Sequence, residues 1–390
     1  MKVGILTYHW IYNFGGQLQA LATSEVLKNL GYEPIVLDLI QPDVRSDFYE
    51  KHVPVVQQQA HIDFSKKYLP VTHELNNEQD LINIVDSLDL KHILVGSDAV
   101  FFIKYPHSPL SDTRYPSLFW MKWIEKCKNY PNIKIFSISA SCMETNFMQL
   151  PSNVRKGLND SLKNFNKVTI RDIWTKLFIK RVSFFKPTTI SPDPVMSFND
   201  NVRKEFTDPI QVPINGKYIL YGLQTGVGHN KHQVLAQLKE KFNKLGYQFV
   251  ALPFPEGSYN LLDDVSIPNP VNPLLWYKLI ANASGIISEK FHPIVVSIHN
   301  KVPFVAIDSY GDRVSKKFLI PVHMRILSKT FDVCRRNGFK QAHLPTSRLT
   351  LSKVDYIVDL LCNREWDFSK SQTRPMEFKK IIESFGIAKS

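Results

Sequence analysis

Short apolar runs alternate with segments of helical period along the first half of the chain, and this alternation predicts an α/β fold. A helix is predicted over residues 18–27, because apolar side chains recur there at helical spacing and Gly31 follows as a stop signal. Buried strands are predicted at residues 2–7, 34–38, 92–95, 133–138, 168–170 and 188–190. Strands separated by helices favour a parallel sheet, so we expect a doubly wound first domain.

A second alternating series follows Pro209 and Pro213, which indicate a linker. Its predicted elements are a helix at 232–245 and strands at 218–222, 249–252, 285–287 and 303–307. A tail with apolar positions at helical spacing follows. We therefore predict an N-terminal α/β domain at 1–205, a C-terminal α/β domain at 206–350, and a helical tail at 351–390 that crosses back to the first domain. Two doubly wound parallel-sheet domains facing a cleft would resemble GT-B glycosyltransferases in architecture.

Size and charge narrow the class of partner. The chain has 390 residues, of which 44% are hydrophobic and 22% are charged, and this favours two globular domains. The net charge of +12, from 48 Lys and Arg against 36 Asp and Glu, favours phosphorylated metabolites, nucleic acid or an anionic membrane surface. Because the basic residues are dispersed along the chain, we expect no nucleic-acid partner.

Cysteine spacing and the short apolar runs indicate a cytoplasmic protein. Cys127, Cys142, Cys334 and Cys362 lie far apart and form no CxxC pair, which is typical of free thiols in a reducing compartment. No apolar run reaches the about 18–20 residues of a membrane span. The apolar start of the chain is too short for a signal peptide. No histidine has the neighbours that metal-ligand spacing needs, so no metal site is predicted.

The polar residues after the strand at 285–287 are the strongest candidates for chemistry. Glu289, Lys290 and His292 stand there, directly before a second helical run. Ligands of open α/β sheets bind beyond the carboxyl ends of the strands, where helix N-termini converge. A cation and an imidazole two residues apart can bind an anion and deliver a proton to it. Glu289 is either a partner that restrains them or a base.

Arg171 is the second candidate, because it follows the strand at 168–170 and precedes Asp172. At a strand-to-helix turn, a guanidinium group suits a carboxylate or a phosphate. The alternative is an Arg–Asp neighbour pair at the surface.

Two further turns have the same position after a strand. Asn13, Gly15 and Gly16 precede a helix, where backbone amides can approach an anion; the alternative is a plain tight turn. Ser97 and Asp98 follow the strand at 92–95, and Asp98 is either a helix N-cap or a ligand to the substrate.

Taken in their order along the chain, these motifs resemble the landmarks of the polysaccharide pyruvyl transferase family. The resemblance covers about residues 1–330, and no single motif carries it alone. The matching segments are Gly4-Ile5-Leu6-Thr7, Asn13-Phe14-Gly15-Gly16, Leu18-Gln19-Ala20, Val95-Gly96-Ser97-Asp98, Ser139-Ala140-Ser141, Ile170-Arg171-Asp172, Asp193-Pro194, Phe291-His292 and Asn300-Lys301 before Pro303. The chain departs from the family pattern at Lys290, where Arg is frequent, at Pro293, where Gly is usual, and at Ala99 and Phe101.

The resemblance implies a transferase that moves pyruvate from phosphoenolpyruvate onto two hydroxyls of a sugar and forms a cyclic ketal. The product would belong to a bacterial exopolysaccharide, capsule or cell-wall glycan. His292 would be the general acid, and Arg171 and Lys290 would bind the donor, with no metal or organic cofactor. The N-terminal domain would bind the acceptor, a sugar or a lipid- or nucleotide-linked glycan. The other substrate-binding candidates are Glu289, Asn13, Gly15, Gly16, Ser97 and Asp98.

Two other functions stay open on the residues alone. One is a GT-B-type glycosyltransferase with a nucleotide-sugar donor, which needs the same cations; the other is a non-catalytic sugar or phosphate binder. A basic cluster in the tail, Arg374, Lys379 and Lys380, stands beside Phe378 and Ile381. It is compatible with peripheral contact at the inner face of an anionic membrane, or with a solvated basic tail.

Overall fold

The computed structural model of the chain describes residues 1–40, 49–104, 117–143, 145–223, 229–257, 262–308 and 328–387. These residues divide into two compact units. The first unit comprises Met1–His52, His61–Arg203 and Pro375–Ser390. The second unit comprises Val53–Ala60 and Lys204–Arg374.

The first unit is built on a parallel sheet. Within the described residues this sheet has six strands in the order β2-β1-β3-β4-β5-β6. Their bounds are Lys2–Leu6 for β1, Glu33–Val36 for β2, His92–Val95 for β3, Lys134–Ala140 for β4, Phe165–Ile170 for β5 and Thr188–Ile190 for β6. The central strands are almost wholly buried, which explains their continuous apolar runs.

The second unit contains a second parallel sheet, of five strands among the described residues, in the order β11-β10-β9-β7-β8. Their bounds are Tyr218–Gly222 for β7, Gln248–Ala251 for β8, Gly285–Ser288 for β9, Phe304–Asp308 for β10 and His343–Pro345 for β11. The prediction of two parallel-sheet α/β domains is confirmed. The apolar pattern does not predict β11, because three residues that include a proline give too short a signal.

Helices connect the strands in both units. They span Phe14–Asn29, Val55–Tyr68, Glu78–Ser87, Ser152–Lys163, Ile173–Val182, Phe198–Asn201, Lys204–Thr207, His229–Lys244, Pro273–Ala281, Phe291–His299, Lys329–Arg336, Val354–Cys362, Ser369–Gln372 and Arg374–Glu383. Short 3₁₀ turns lie at Leu118–Trp120, Lys122–Lys126, Phe147–Gln149, Pro194–Ser197, Lys340–Ala342, Thr346–Arg348 and Leu351–Lys353.

The helix Phe14–Asn29, here called the opening helix, begins four residues before the predicted start. Asn13 has extended backbone angles and its side chain accepts a hydrogen bond from the Gly16 amide, so it caps the helix. Gly15 and Gly16 therefore lie in the first helical turn and not in a turn that precedes the helix. The residues from Phe14 to Leu27 are all buried, polar ones included. The helix therefore has no exposed polar face there, and the amphipathic pattern on which a sequence prediction depends is weak.

The tail differs from its predicted place. Helix Val354–Cys362 belongs to the second unit, where it contacts the helix His229–Lys244 and the strands β9 and β10. The first unit receives only the residues from Pro375 onward. There, Phe385 stacks on Phe136 with ring centroids 4.6 Å apart. The predicted return of the tail to the first unit therefore applies to its last segment alone.

The final helix, Arg374–Glu383, buries only part of its apolar surface, since Met376 is 62% exposed and Ile381 is half-buried. Phe378 and Ile382 are both 0% exposed, so the ring expected beside the basic cluster is part of the protein core. Within the described residues, no helix is long and apolar enough to cross a membrane.

Candidate functional site

The strand orders define one switch point in each sheet. In the first unit, β2 lies on one side of β1 and β3 on the other. In the second unit, β8 and β9 flank β7 in the same way. Ligands of open α/β sheets bind at such points, beyond the carboxyl ends of the strands. All the site residues predicted from the sequence follow a strand at this edge of its sheet.

The first switch point contains the start of the opening helix. Asn13 caps it through a hydrogen bond of 3.1 Å from the Gly16 amide to Asn13 Oδ1. A β-carbon added at Gly16 would lie 3.2 Å from the Tyr8 carbonyl oxygen and 3.8 Å from Asp98 Oδ2. The absence of a side chain at Gly16 thus lets the Tyr8 carbonyl pack closely against the helix, and the carboxylate of Asp98 lies nearby, where the partial positive charge of a helix start favours it.

Asp98 and Ser97 have different roles in this arrangement. Asp98 has a positive φ of 67°, and its side chain is 19% exposed. Ser97 is fully buried; its hydroxyl donates to the Ser139 carbonyl at 3.3 Å and accepts from the Asp98 amide at 2.5 Å. Ser97 therefore positions the backbone around Asp98, and the accessible group of the pair is the carboxylate.

Arg171 lies in a buried cluster with two carboxylates. Its Nη1 donates to Asp193 Oδ2 at 2.9 Å and its Nη2 to Asp98 Oδ1 at 3.5 Å, while its side chain is 1% exposed. Burial acts to lower the pKa of Arg171, but Asp193 and Asp98 outweigh burial and raise this pKa. The surface Arg–Asp pair with Asp172 is excluded, because Asp172 instead caps the helix Ile173–Val182 by accepting from the Thr175 amide.

The second switch point places Glu289 and Lys290 immediately after β9. The Glu289 amide donates to the Gly222 carbonyl at the end of β7, at 3.0 Å. The Lys290 amide donates to Ser288 Oγ at 3.1 Å, and Lys290 is the N-cap residue of the helix Phe291–His299. Its side chain makes no capping hydrogen bond, because an ammonium group only donates and cannot accept from the amides of the first helical turn.

The Lys290 ammonium is half-buried over an aromatic ring. Its Nζ lies 5.3 Å from the centroid of Phe254. Burial lowers the pKa of Lys290, and the nearby carboxylates of Glu256 and Glu289 oppose that shift. A partly desolvated cation attracts an anion more strongly than one in bulk water.

His292 stands in the first turn of the helix Phe291–His299 and is half-buried. Its ring meets the edge of Phe291, with centroids 5.5 Å apart and an interplanar angle of 80°. A second cation lies against the same phenyl ring, because Lys329 Nζ is 5.3 Å from the Phe291 centroid. The edge of the second sheet thus combines a helix N-terminus, an imidazole and two ammonium groups.

Each unit therefore gathers its own subset of the predicted residues. The first unit brings together Asn13, Gly16, Asp98 and Arg171. Gly15 lies in the same helical turn as Gly16, and Ser97 holds the backbone of Asp98. Glu289, Lys290 and His292 meet in the second unit. Over the described ranges, no group of three or more His, Cys, Asp or Glu side chains could hold a metal ion.

Sequence reasoning missed three residues that complete these arrangements. Gln19 joins the two strand ends, since its Nε2 donates to Thr7 Oγ1 at 2.8 Å and its Oε1 accepts from the Ser97 amide at 3.1 Å. Asp193 holds Arg171, and Lys329 lies against Phe291. Gln19 and Asp193 stand inside the motifs Leu18-Gln19-Ala20 and Asp193-Pro194. Lys329 has no sequence signal, because only the fold brings it beside Phe291.

Comparisons with known proteins agree with this architecture. The family model described as "Polysaccharide pyruvyl transferase" matches residues 13–310. No curated protein matches the chain. Solved structures of UDP-GlcNAc 2-epimerases are similar in fold. The one from Methanocaldococcus jannaschii has a TM-score of 0.58 at 10% identity over 100% of both chains. The one from Neisseria meningitidis, bound to UDP-GlcNAc, has a TM-score of 0.55 at 12% identity over 100% of both chains. The one from Rickettsia bellii has a TM-score of 0.54 at 10% identity, over 99% of this chain and 96% of that chain.

Proposed function

The chain belongs to the polysaccharide pyruvyl transferase family, and we propose that it transfers pyruvate from phosphoenolpyruvate onto two hydroxyls of a sugar, leaving a cyclic ketal. The observation that carries this proposal is the run Lys290-Phe291-His292 at the start of a helix beyond β9. Phosphoenolpyruvate bears a phosphate and a carboxylate, and its methylene carbon must accept a proton. The site therefore needs cations and an acid within reach of each other.

The proposal assigns the anionic groups of the donor to the second unit. Lys290, Lys329 and the amides at the start of the helix Phe291–His299 supply positive charge there. Glu289 restrains Lys290, whose pKa it helps to keep from falling further. Direct contact between Arg171 and the donor stays a prediction, because two carboxylates already hold that guanidinium group.

The proposed chemistry has four steps. His292, as imidazolium, protonates the methylene carbon of phosphoenolpyruvate and generates an oxocarbenium centre at the adjacent carbon. One sugar hydroxyl attacks that centre and releases its proton. The carbon–oxygen bond to phosphate then breaks, and inorganic phosphate leaves. The second hydroxyl attacks and closes the ketal, so one proton is consumed and two are released; one returns to His292 and the other goes to the released phosphate or to water.

The acceptor is proposed to be a sugar of a bacterial exopolysaccharide, capsule or cell-wall glycan, free or linked to a nucleotide or a lipid. The support is family membership, which implies a glycan acceptor. Peripheral contact of the basic final helix with an anionic membrane stays part of the proposal, without a role for the buried ring of Phe378.

A thermal-shift titration with phosphoenolpyruvate tests the donor assignment. We expect phosphoenolpyruvate to raise the unfolding temperature of the protein. The variant Lys290→Ala should bind phosphoenolpyruvate about 10- to 100-fold more weakly, because a hydrogen bond to a charged group contributes about 1.5–3 kcal/mol. Lys340→Ala is the matched control, since Lys340 is exposed and precedes β11 at the opposite edge of the same sheet. Stabilisation by uridine diphosphate but not by phosphoenolpyruvate would instead support a nucleotide-sugar donor.

A further inference from the structure

A cavity of about 290 Å³ opens in the first unit, beyond the carboxyl ends of β1 and β2. The chemistry above does not use it. Trp10, Tyr12 and Tyr49 contribute aromatic rings to its wall. Small-molecule sites span about 300–1,000 Å³, so this volume suits a ligand the size of one sugar ring rather than an oligosaccharide.

The polar lining of the cavity is rich in hydrogen-bond acceptors. Among the described residues it includes the carboxylates of Asp38, Glu50 and Glu74 and the ammonium group of Lys66. His9 also lines it, with Nε2 at 2.8 Å from Asp38 Oδ1 and Nδ1 at 3.1 Å from the Thr7 carbonyl. Both nitrogens of His9 thus face acceptor atoms inside the protein. The carboxylates among the described lining residues are acceptors, and they suit a ligand that offers hydrogen-bond donors.

His61 adds an acceptor whose proton position can be worked out. Its side chain is 1% exposed, and its Nδ1 lies 2.6 Å from Gln17 Oε1. The amide orientation of Gln17 is fixed, since its Nε2 donates to the His61 carbonyl at 2.7 Å and to Ser65 Oγ at 2.9 Å. An amide oxygen only accepts, so His61 Nδ1 carries the proton and His61 Nε2 carries a lone pair.

The lone pair of His61 Nε2 is buried, and among the described residues it has no hydrogen-bond partner. Burial lowers the pKa of His61 to about 3, so the ring stays neutral near neutral pH. Its position is held by Phe14 and Tyr12, with ring centroids 5.0 Å and 5.8 Å away. A buried acceptor without a partner costs stability, and a ligand hydroxyl in the cavity would remove that cost.

We propose that this cavity binds one uncharged sugar ring, which stacks on the aromatic wall and donates a hydroxyl to His61 Nε2. The sugar is the acceptor of the proposed reaction, so this inference rests on the proposed function. Among the described lining residues, three carboxylates outnumber one ammonium group and repel an added anion, so the cavity selects a neutral sugar over a uronate or a sugar phosphate.

The cavity adjoins the first switch point. Asn13 Nδ2 donates to the Tyr49 hydroxyl at 3.3 Å, and Asn13 is the cap of the opening helix. A sugar against Tyr49 therefore lies beside the start of that helix. Binding there would position its hydroxyls next to the cluster that contains Asp98 and Arg171.

Ligand-observed NMR and calorimetry with methyl galactoside, methyl mannoside and methyl glucuronide test the proposal on the full chain. We expect both neutral glycosides to bind and methyl glucuronide to bind at least about 10-fold more weakly, a difference of about 1.4 kcal/mol. His61→Phe keeps the ring and removes the acceptor, and it should weaken the neutral glycosides about 3- to 10-fold. His92→Phe is the control, because His92 is a buried histidine of the same unit that does not line the cavity.

A second variant covers the case in which His61→Phe fails to fold. Glu74 is exposed at the cavity, so Glu74→Lys should leave the fold intact and tighten binding of methyl glucuronide. Equal affinity for the glucuronide and the neutral glycosides, equal loss in His61→Phe and His92→Phe, or no glycoside binding at all contradicts the inference. Titration of phosphoenolpyruvate without sugar separates the two proposals. If phosphoenolpyruvate binds but the glycosides show no selectivity, only the sugar site in the cavity is refuted. If the neutral glycosides bind selectively but phosphoenolpyruvate does not bind, only the proposed pyruvyl transfer is refuted.

Discussion

Arg171 is among the largest fully buried side chains of the protein, and its charge is held between Asp193 and Asp98. The sequence identifies it as a cation at a strand end, which is correct. It does not reveal the burial, because the two carboxylates lie 22 and 73 positions away and only the fold brings them to the guanidinium group. The residue therefore supports the geometry of the first switch point, whatever it contacts in a ligand.

Removing the Arg171 side chain should destabilise the fold as well as the site. Arg171→Ala removes the counter-charge of two carboxylates and leaves an empty space beside them. The loss of one partner of a buried ion pair costs about 3–5 kcal/mol. Urea unfolding followed by circular dichroism measures this, with Arg181→Ala as the control because Arg181 is exposed. Unfolding of Arg171→Ala at the wild-type midpoint would refute the structural role.

Other site residues could be predicted in position but not in function. Ser97 stands at the predicted strand end, yet its hydroxyl contacts the Ser139 carbonyl and the Asp98 amide. The partner at Ser139 comes from a neighbouring strand, β4. A sequence pattern places a side chain along its own element, but it does not say which neighbouring element occupies the space beside it. A polar residue in a family motif can therefore hold the backbone of a site in place instead of contacting the ligand.

At the scale of elements, the strands were the easiest part to predict. The predicted strands of both sheets appear within a few residues of their expected bounds, because buried parallel strands give continuous apolar runs. The start of the opening helix was harder, since two glycines disfavour a helix by propensity while the Asn13 cap and complete burial stabilise it. Tertiary packing decided that boundary.

The junction of β3 and β4 depends on a glycine. Gly96 has a φ of 117°, and a β-carbon there would lie 2.4 Å from the Ile138 carbonyl oxygen. Gly96→Ala should therefore destabilise the first unit by more than the about 1–3 kcal/mol that an unfavourable φ alone costs. Gly31→Ala separates the two effects, because Gly31 also has a positive φ, 86°, but no atom lies within 4 Å of its added β-carbon.

The unfolding midpoints of the two glycine variants decide this prediction. We expect Gly31→Ala to lose only the cost of its backbone conformation and Gly96→Ala to lose clearly more. Equal losses would mean that the end of β3 can shift away from Ile138, and that the switch point is less rigid than the contact with Ile138 indicates.

At the scale of the whole molecule, stability should fall in acid. Burial lowers the pKa of His61 to about 3 and the pKa of His299 to about 4, from an ordinary 6.5. Below about pH 6.5 the unfolded chain binds protons at these histidines and the folded protein does not. The free energy of unfolding therefore holds its full value above that pH, and each histidine removes up to about 1.4 kcal/mol per pH unit as the pH falls toward its folded pKa.

Thermal unfolding at neutral pH and at about pH 5 tests the acid effect. His61→Phe and His299→Phe should each reduce the difference between the two conditions, since phenylalanine binds no proton in either state. The exposed His73 provides the control, and His73→Phe should leave the difference unchanged. If neither His61→Phe nor His299→Phe alters the pH dependence, other groups account for it.

The whole-molecule organisation also shows what charge and composition could predict. A net charge of +12 predicts an anionic partner, and the half-buried Lys290 and Lys329 at one sheet edge agree with that expectation. Family membership came from motifs in sequence order, which are local signals. The division of the tail between the two units was not predictable, because the helix Val354–Cys362 and the helix Arg374–Glu383 show similar apolar spacing but pack in different units.

Mass spectrometry of glycans after incubation with phosphoenolpyruvate tests the central claim most directly. Wild-type protein should add the mass of one pyruvate ketal to an acceptor glycan and release inorganic phosphate in equal amount. His292→Asn should lower the rate by about 10²–10⁴-fold without loss of fold, because a positioned acid contributes about that factor. Lys340→Ala should match the wild type. Ketal formation at the wild-type rate by His292→Asn, or phosphate release with no ketal on any glycan of a broad panel, would contradict the account.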